Sequence, residues 1–138
     1  MKDIFIQKEA VNITELLAKG ASDSDGSDVV FIGRVRNNSR DKNVTLIDYE
    51  IYPEMALKEL NKIADEAIEK YRLNRCIIVH RYGKVYPGET SIVIIVSTPH
   101  RAETYAGSRY IIDEIKKRVP VWKKEHYTDG SEWLSNRS

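Results

Sequence analysis

The sequence predicts an α+β fold in which helices cover a largely antiparallel sheet. Residues 29–37, 75–82 and 90–97 are β-rich apolar runs bounded by glycine, proline and polar turns. Residues 53–71 and 98–119 instead repeat their apolar side chains at helical spacing. The resulting order, β-α-β-β-α-β-β-α-β-β, fits helices layered on such a sheet.

Residues 3–7 read as a short strand and 12–19 as a short helix, capped by Asn12 or Thr14 and ended by Gly20. The loop that follows, GASDSDGSD, holds Asp23, Asp25 and Asp28. It lacks the glycine position and closing glutamate of a calcium loop, so no metal is expected there. In the strand VVFIGRVRN, period-two alternation puts Val30, Ile32, Arg34 and Arg36 on one face, and two guanidinium groups emerge where the strand leaves the core. VTLIDYEIY (44–52) is expected to be its antiparallel partner. Pro53 suits the first position of a helix whose apolar face runs from Ala56 to Tyr71, and that face is core.

RCIIVHRY and TSIVIIVS are strands joined by GKVYPGE, where Pro87-Gly88 suits a tight turn. The second run is apolar on both faces, as a central strand is. Thr98 then reads as a cap and Pro99 as the first residue of a helix that Pro120 stops at Val119. VWKKEHY continues extended, and DGSEW turns into a short terminal strand. No repeat, linker or second domain interrupts residues 1–138, and 138 residues suit one domain.

With 22 Lys+Arg against 21 Asp+Glu, the chain lacks the uniformly basic surface of a nucleic-acid binder, so a positive site must be local. Cys76 is the only cysteine, which excludes an internal disulfide and multi-cysteine metal motifs and fits a reducing compartment. The start of the chain carries no apolar signal core, and no segment approaches a membrane span. A cytoplasmic protein is the expectation.

Three basic clusters remain. Arg34 and Arg36 have a bland reading as a solvated strand end. His100 and Arg101 open a helix, where the macrodipole disfavours cations, and a bound anion would reconcile them with that position. In KKRVPVWKKE, Pro120 and Trp122 are the kind of residue that fixes a backbone and fills a core, and are expected to anchor the flanking lysine pairs. Lys116 and Lys117 differ by about 100° of helix rotation, so only one can face a given site. Beyond Pro120, Val121 and Lys123 point one way and Trp122 and Lys124 the other. Ammonium groups held close depress each other's pKa, giving either a neutral amine or a strong anion site, and the sequence leaves both roles open. Cys76 lies in an apolar strand and reads as core, His80 as a hydrogen-bonded structural residue, and His126 as surface.

FIGRVRN, YEIYPEMA, HRYGKVYPGE, HRAETYAG and KKRVPVWKKE, in that order and spacing, resemble the catalytic (large) subunit family of molybdopterin synthase over residues 28–134. The resemblance implies an α/β hammerhead-type fold with an added antiparallel β subdomain. It implies a homodimer within a heterotetramer, each end docking a small ubiquitin-like sulfur-carrier subunit by its C-terminal Gly-Gly thiocarboxylate. The implied reaction moves two sulfurs onto cyclic pyranopterin monophosphate to make a dithiolene, with no cofactor in this chain. The family's catalytic lysines fall on Lys116 and Lys123, and its substrate-binding residues on Arg36, His100 and Arg101. The competing reading is a non-catalytic phosphate- or nucleotide-binding dimeric module built on the same clusters.

Overall fold

The computed structural model describes residues 1–135. Its first strand, β1 (Lys2–Gln7), leads into α1 (Ile13–Ala18), where the Asn12 side chain accepts a hydrogen bond from the Glu15 N–H. Asn12, not Thr14, is therefore the cap. Strand β2 (Ser27–Arg34) is followed by the short β3 (Asn38–Ser39) and by β4 (Lys42–Ile51). Pro53 opens α2 (Pro53–Tyr71) at the expected residue. Then come β5 (Arg75–Arg81), the short β6 (Gly83–Val85) and β7 (Thr90–Thr98). The last elements are α3 (Arg101–Arg118), β8 (Val121–Tyr127) and β9 (Gly130–Ser135). The result is an α+β fold, as expected.

The strands form two sheets. The first runs β1-β5-β7-β2, with β7 central between β5 and β2, as its two-sided apolarity requires. Only the β1–β5 pairing in it is parallel. One face, carrying Cys76, Ile78, Ile92, Ile94 and Val96, packs with Leu60, Ile63, Ile111 and Ile115 of α2 and α3. The opposite face, with Ile77, Val79, Val93 and Ile95, packs with Ile13 and Leu16 of α1. Buried Arg75 ties α1 down by donating to the carbonyls of Leu17 and Lys19 at 2.7 and 2.9 Å, a cation at a helix C-terminus.

The second sheet runs β3-β4-β8-β9, with β6 also on β4. It corrects one expectation, because β4 pairs with β3, β6 and β8 and not with β2. Residues 35–41 carry the chain away from the first sheet, and β7 takes the place beside β2 that β4 was expected to fill. Neither β3 nor β6, with two and three residues, is long enough to show a period in the sequence.

The predicted alternation runs on through Arg36, with Arg34 and Arg36 exposed and Val35 buried between them, past a register shift in which Ser91 of β7 is the extra residue opposite Gly33 and Arg34. Glycine is required there, because a Cβ on Gly33 would sit 2.6 Å from Ile92 Cγ2. Helix α3 starts at Arg101 with His100 at its cap, not with Thr98 and Pro99. Pairing of Ser27 with Thr98 keeps the strand extended that far, and Thr98 Oγ1 donates to the His100 carbonyl at 2.6 Å. The helix stops at Val119 as Pro120 dictates. Among the described residues, no helix is long and apolar enough to cross a membrane.

Candidate functional site

The register of β4 against β8 sorts the lysines of the 116–125 stretch. Val121, Lys123 and Glu125 stand opposite Ile51, Tyr49 and Ile47, so all six share the inward face. Trp122 and Lys124 stand opposite Glu50 and Asp48 on the outward face. Lys124 lies over the Trp133 ring at 5.5 Å, and Trp122 is 46% exposed, so it does not fill a core as expected. Alternation outweighs its apolar character: an inward Trp122 would turn Val121 and Lys123 outward. On α3, Lys117 is exposed and pairs with Glu114 at 3.3 Å. Arg118 is bound by Glu59, Glu66 and Glu114, which ties α3 to α2. Lys116 faces a cavity.

That cavity has a volume of about 140 Å³ and is walled by β2, β4, β7, β8 and the end of α3. Lys116 and Lys123 both line it, as do Arg34 and Arg36 from the segment leaving β2. Three of the five predicted site residues, Arg36, Lys116 and Lys123, therefore meet within one chain. His100 and Arg101 do not line it. They lie exposed at the opposite end of α3, and the 15 residues to Lys116 span about 22 Å of helix. Their helix start is pinned to β2, where Ser27 Oγ and Thr104 Oγ1 lie 2.6 Å apart.

Burial, and then the positive charge of Lys123, push the Lys116 ammonium down to about 8. Lys123, whose side chain is only 13% exposed, is lowered mainly by burial. Glu125 opposes that shift, while Arg36 and Arg40 add to it. Behind the wall, the His80 Nδ1–H donates to the Arg81 carbonyl at 2.8 Å. Burial, reinforced by Lys116, brings this histidine down to about 4, so its ring is neutral at neutral pH. The reading of His80 as a hydrogen-bonded structural residue holds. Its ring meets that of Tyr49 edge-on at 5.7 Å, and Tyr49 lines the cavity.

Burial likewise pushes the Cys76 thiol up to about 12, which suits a core residue and not a nucleophile. His126 departs from its expected surface role, since its Nε2 is buried and has no hydrogen-bond partner among the described residues. The residue that sequence reasoning missed is Glu125, 3% exposed, whose Oε2 lies 3.9 Å from Lys123 Nζ. A signal for it existed: the alternation that turns Lys123 inward turns Glu125 inward as well.

Such a site can bind an anionic group and offer an amine that loses its proton close to neutral pH. The MoaE protein family matches residues 6–118. A Pyrococcus abyssi protein named as a molybdopterin synthase catalytic subunit is 40% identical over 126 residues, covering 91% of this chain and 85% of that protein. The crystal structure of molybdopterin synthase from Staphylococcus aureus superposes with a TM-score of 0.88 at 36% identity, over 94% of each chain. A Helicobacter pylori structure, a complex of subunits 1 and 2 of molybdopterin-converting factor, shares the fold with a TM-score of 0.77 at 20% identity, over 99% of this chain and 92% of that one. The chain therefore belongs to the MoaE protein family, enzymes that serve as molybdopterin synthase catalytic subunits in molybdenum cofactor biosynthesis.

Proposed function

We propose that this chain transfers sulfur from the C-terminal thiocarboxylate of a small ubiquitin-like carrier subunit onto cyclic pyranopterin monophosphate. The observation that carries the reading is the convergence of Lys116, Lys123 and Arg36 on one cavity, with Lys116 lowered to about 8. In each round the thiocarboxylate sulfur attacks a pterin side-chain carbon as a carbon–oxygen bond at that carbon breaks, the oxygen leaving as water or with the phosphate, and carrier and pterin are joined through an acyl–sulfur link. Water then cleaves that link at the acyl carbon, so sulfur stays on the pterin and the carrier leaves as a carboxylate. Two rounds give the dithiolene. Both steps build negative charge on sulfur or oxygen, which the two ammonium groups stabilise from fixed positions. With its pKa near 8, about a tenth of Lys116 is neutral at pH 7, enough to take up a proton in the hydrolytic step. Arg36, at the cavity wall, holds the carrier carboxylate or the substrate phosphate by a forked contact.

His100 and Arg101 enter through a homodimer. A two-fold interface can set the start of one subunit's α3 beside the end of its mate's, so each pocket takes Arg36, Lys116 and Lys123 from one chain and His100 and Arg101 from the other. The second pair then grips phosphate at a helix N-terminus. Membership of an enzyme family leaves the non-catalytic phosphate-binding module without support. The test is to mix the purified chain with thiocarboxylated carrier and the cyclic pterin. Dithiolene product is expected, and its absence from a folded, carrier-binding preparation overturns the reading.

A further inference from the structure

Hydrogen bonds run from the protein surface to Glu125, and an ion pair at 3.9 Å continues from its carboxylate to Lys123. Arg40, in the turn between β3 and β4, donates from Nη2 to the Tyr127 hydroxyl at 2.9 Å and to Glu132 Oε2 at 2.6 Å. Tyr127, buried on β8, donates its single hydroxyl proton to Glu125 Oε1 at 2.8 Å. The other carboxylate oxygen, Oε2, is the one that faces Lys123. Each link has one direction only: the guanidinium can only donate, and the ionised carboxylate can only accept.

The turn is a two-residue hairpin loop closed by the pairing of Ser39 with Lys42, and Arg40 and Asp41 take the positive φ, 50° and 63°, that such loops require. From this loop the Arg40 side chain spans from β3–β4 to β8 and β9. Lys42 adds to the same corner, with its ammonium 4.9 Å from the centre of the Tyr127 ring.

We propose that Tyr127, locked by Arg40, is a positioning residue for the sulfur-transfer reaction: it fixes the Glu125 carboxylate so that its free oxygen holds the Lys123 ammonium in the cavity. This rests on the reading of Lys123 as a catalytic residue. Lys123 is crowded by cations, with Arg36 beyond β2, Arg40 on the hairpin and Lys116 on α3, while Tyr49 lies opposite on β4. Glu125 is an anion set against them, its Oε2 3.9 Å from the Lys123 ammonium. A buried carboxylate that loses the hydroxyl donor holding it is free to turn, and Lys123 then loses that counter-charge.

The test has an arm that does not depend on catalysis. Lysine-labelled protein is titrated by NMR to follow the Lys123 ammonium in wild type, Glu125→Gln and Tyr127→Phe. The Lys123 midpoint is expected to fall in Glu125→Gln and to fall by a smaller amount in Tyr127→Phe. An unmoved midpoint in a folded Tyr127→Phe protein overturns the proposal, whether or not the chain transfers sulfur. In the activity arm, Tyr127→Phe should lower kcat about tenfold, the scale of one hydrogen bond to a charged group, with the KM for the pterin unchanged. Arg40→Met, on the exposed hairpin, should lower kcat several-fold alone and clearly less in the Tyr127→Phe background, because without the hydroxyl the guanidinium acts on Lys123 through its charge alone. Fully additive losses in the double variant also overturn the proposal. If wild type transfers no sulfur while the NMR midpoints shift as expected, the function reading fails and the positioning network stands.

Discussion

At the last turn of α3, Lys116 looks into a cavity shared with Lys123 and Arg36, whereas at the first turn His100 and Arg101 lie exposed, about 22 Å away along the helix. Both ends put cations beside the helix dipole, but only the first case is electrostatically favourable within this chain, since cations suit a helix C-terminus. There the cost is desolvation, and the surrounding fold imposes it: two sheets and a helix close around the lysines. At the N-terminus the acidic residue of the first turn is Glu103, and no ion pair to His100 or Arg101 is found among the described residues. One end of α3 is enclosed within this chain, and the other lies open at its surface.

The largest expected effect separates the inward lysines from their neighbours. Lys116→Ala and Lys123→Ala should each lower sulfur-transfer turnover by about a hundredfold or more, as loss of a charge partner in the transition state does. Lys117→Ala and Lys124→Ala should cost far less, because the first pairs with Glu114 and the second lies over Trp133 on the outward face. Steady-state kinetics on the four variants decide this. Equal losses across them would dissolve the contrast.

Next comes complementation between the two ends. Arg101→Ala and Lys116→Ala, each inactive alone, should regain roughly a quarter of wild-type activity when mixed and allowed to exchange subunits. Half the dimers are then mixed, and one pocket in each is wild type. Confirmed exchange with no regained activity confines each site to one chain and ends the dimer argument.

A third measurement concerns sulfur that does not travel through this chain. Cys76→Ser should keep its sulfur-transfer activity while losing about 1–3 kcal/mol of stability, because the position is fully buried and a hydroxyl there needs a partner. Denaturant melts and turnover together check it, and loss of turnover in a folded, carrier-binding variant argues for a persulfide route.

The smallest effect sharpens the electrostatic contrast. Lys116 titrates lower in the folded chain, near 8, than the ordinary lysine value of 10.5. Below about 8 both states hold the proton and the folded state bears the whole desolvation penalty. Between about 8 and 10.5 the unfolded chain binds more protons, so stability rises with pH across that window. Lys116→Met should therefore raise Tm at pH 7 by roughly a few degrees, with the gain shrinking as pH climbs towards 10. No gain at pH 7 means that the lysine is not buried at a cost.

Much of this was legible in the residues. Pro53 and Pro120 mark the ends of two helices because proline lacks the N–H and fixes φ, and both boundaries fall where those rules put them. Period two predicted that Lys123 and Lys124 face opposite ways, and the β4–β8 register agrees. The same rule holds at Arg34 and Arg36, which are exposed on either side of buried Val35, and it extends to Glu125, where sequence reasoning did not apply it. His126 and Trp122 were misjudged for a different reason. Their type suggests an average environment, and their sheet gives each a particular one.

The sequence by itself determined the longer elements, their order and that one lysine of each pair turns away from the site, because these follow from local backbone geometry and from periods of 2 and 3.6 residues. Only the tertiary structure decided that β4 leaves β2 for β8 and that Arg36, Lys116, Lys123 and Glu125 meet in one cavity. It alone linked Arg40 to Glu125 through Tyr127. The longest of those contacts, such as Arg40 with Tyr127, join residues 87 positions apart, and their strength comes from burial and charge fields that exist only once the sheets have closed.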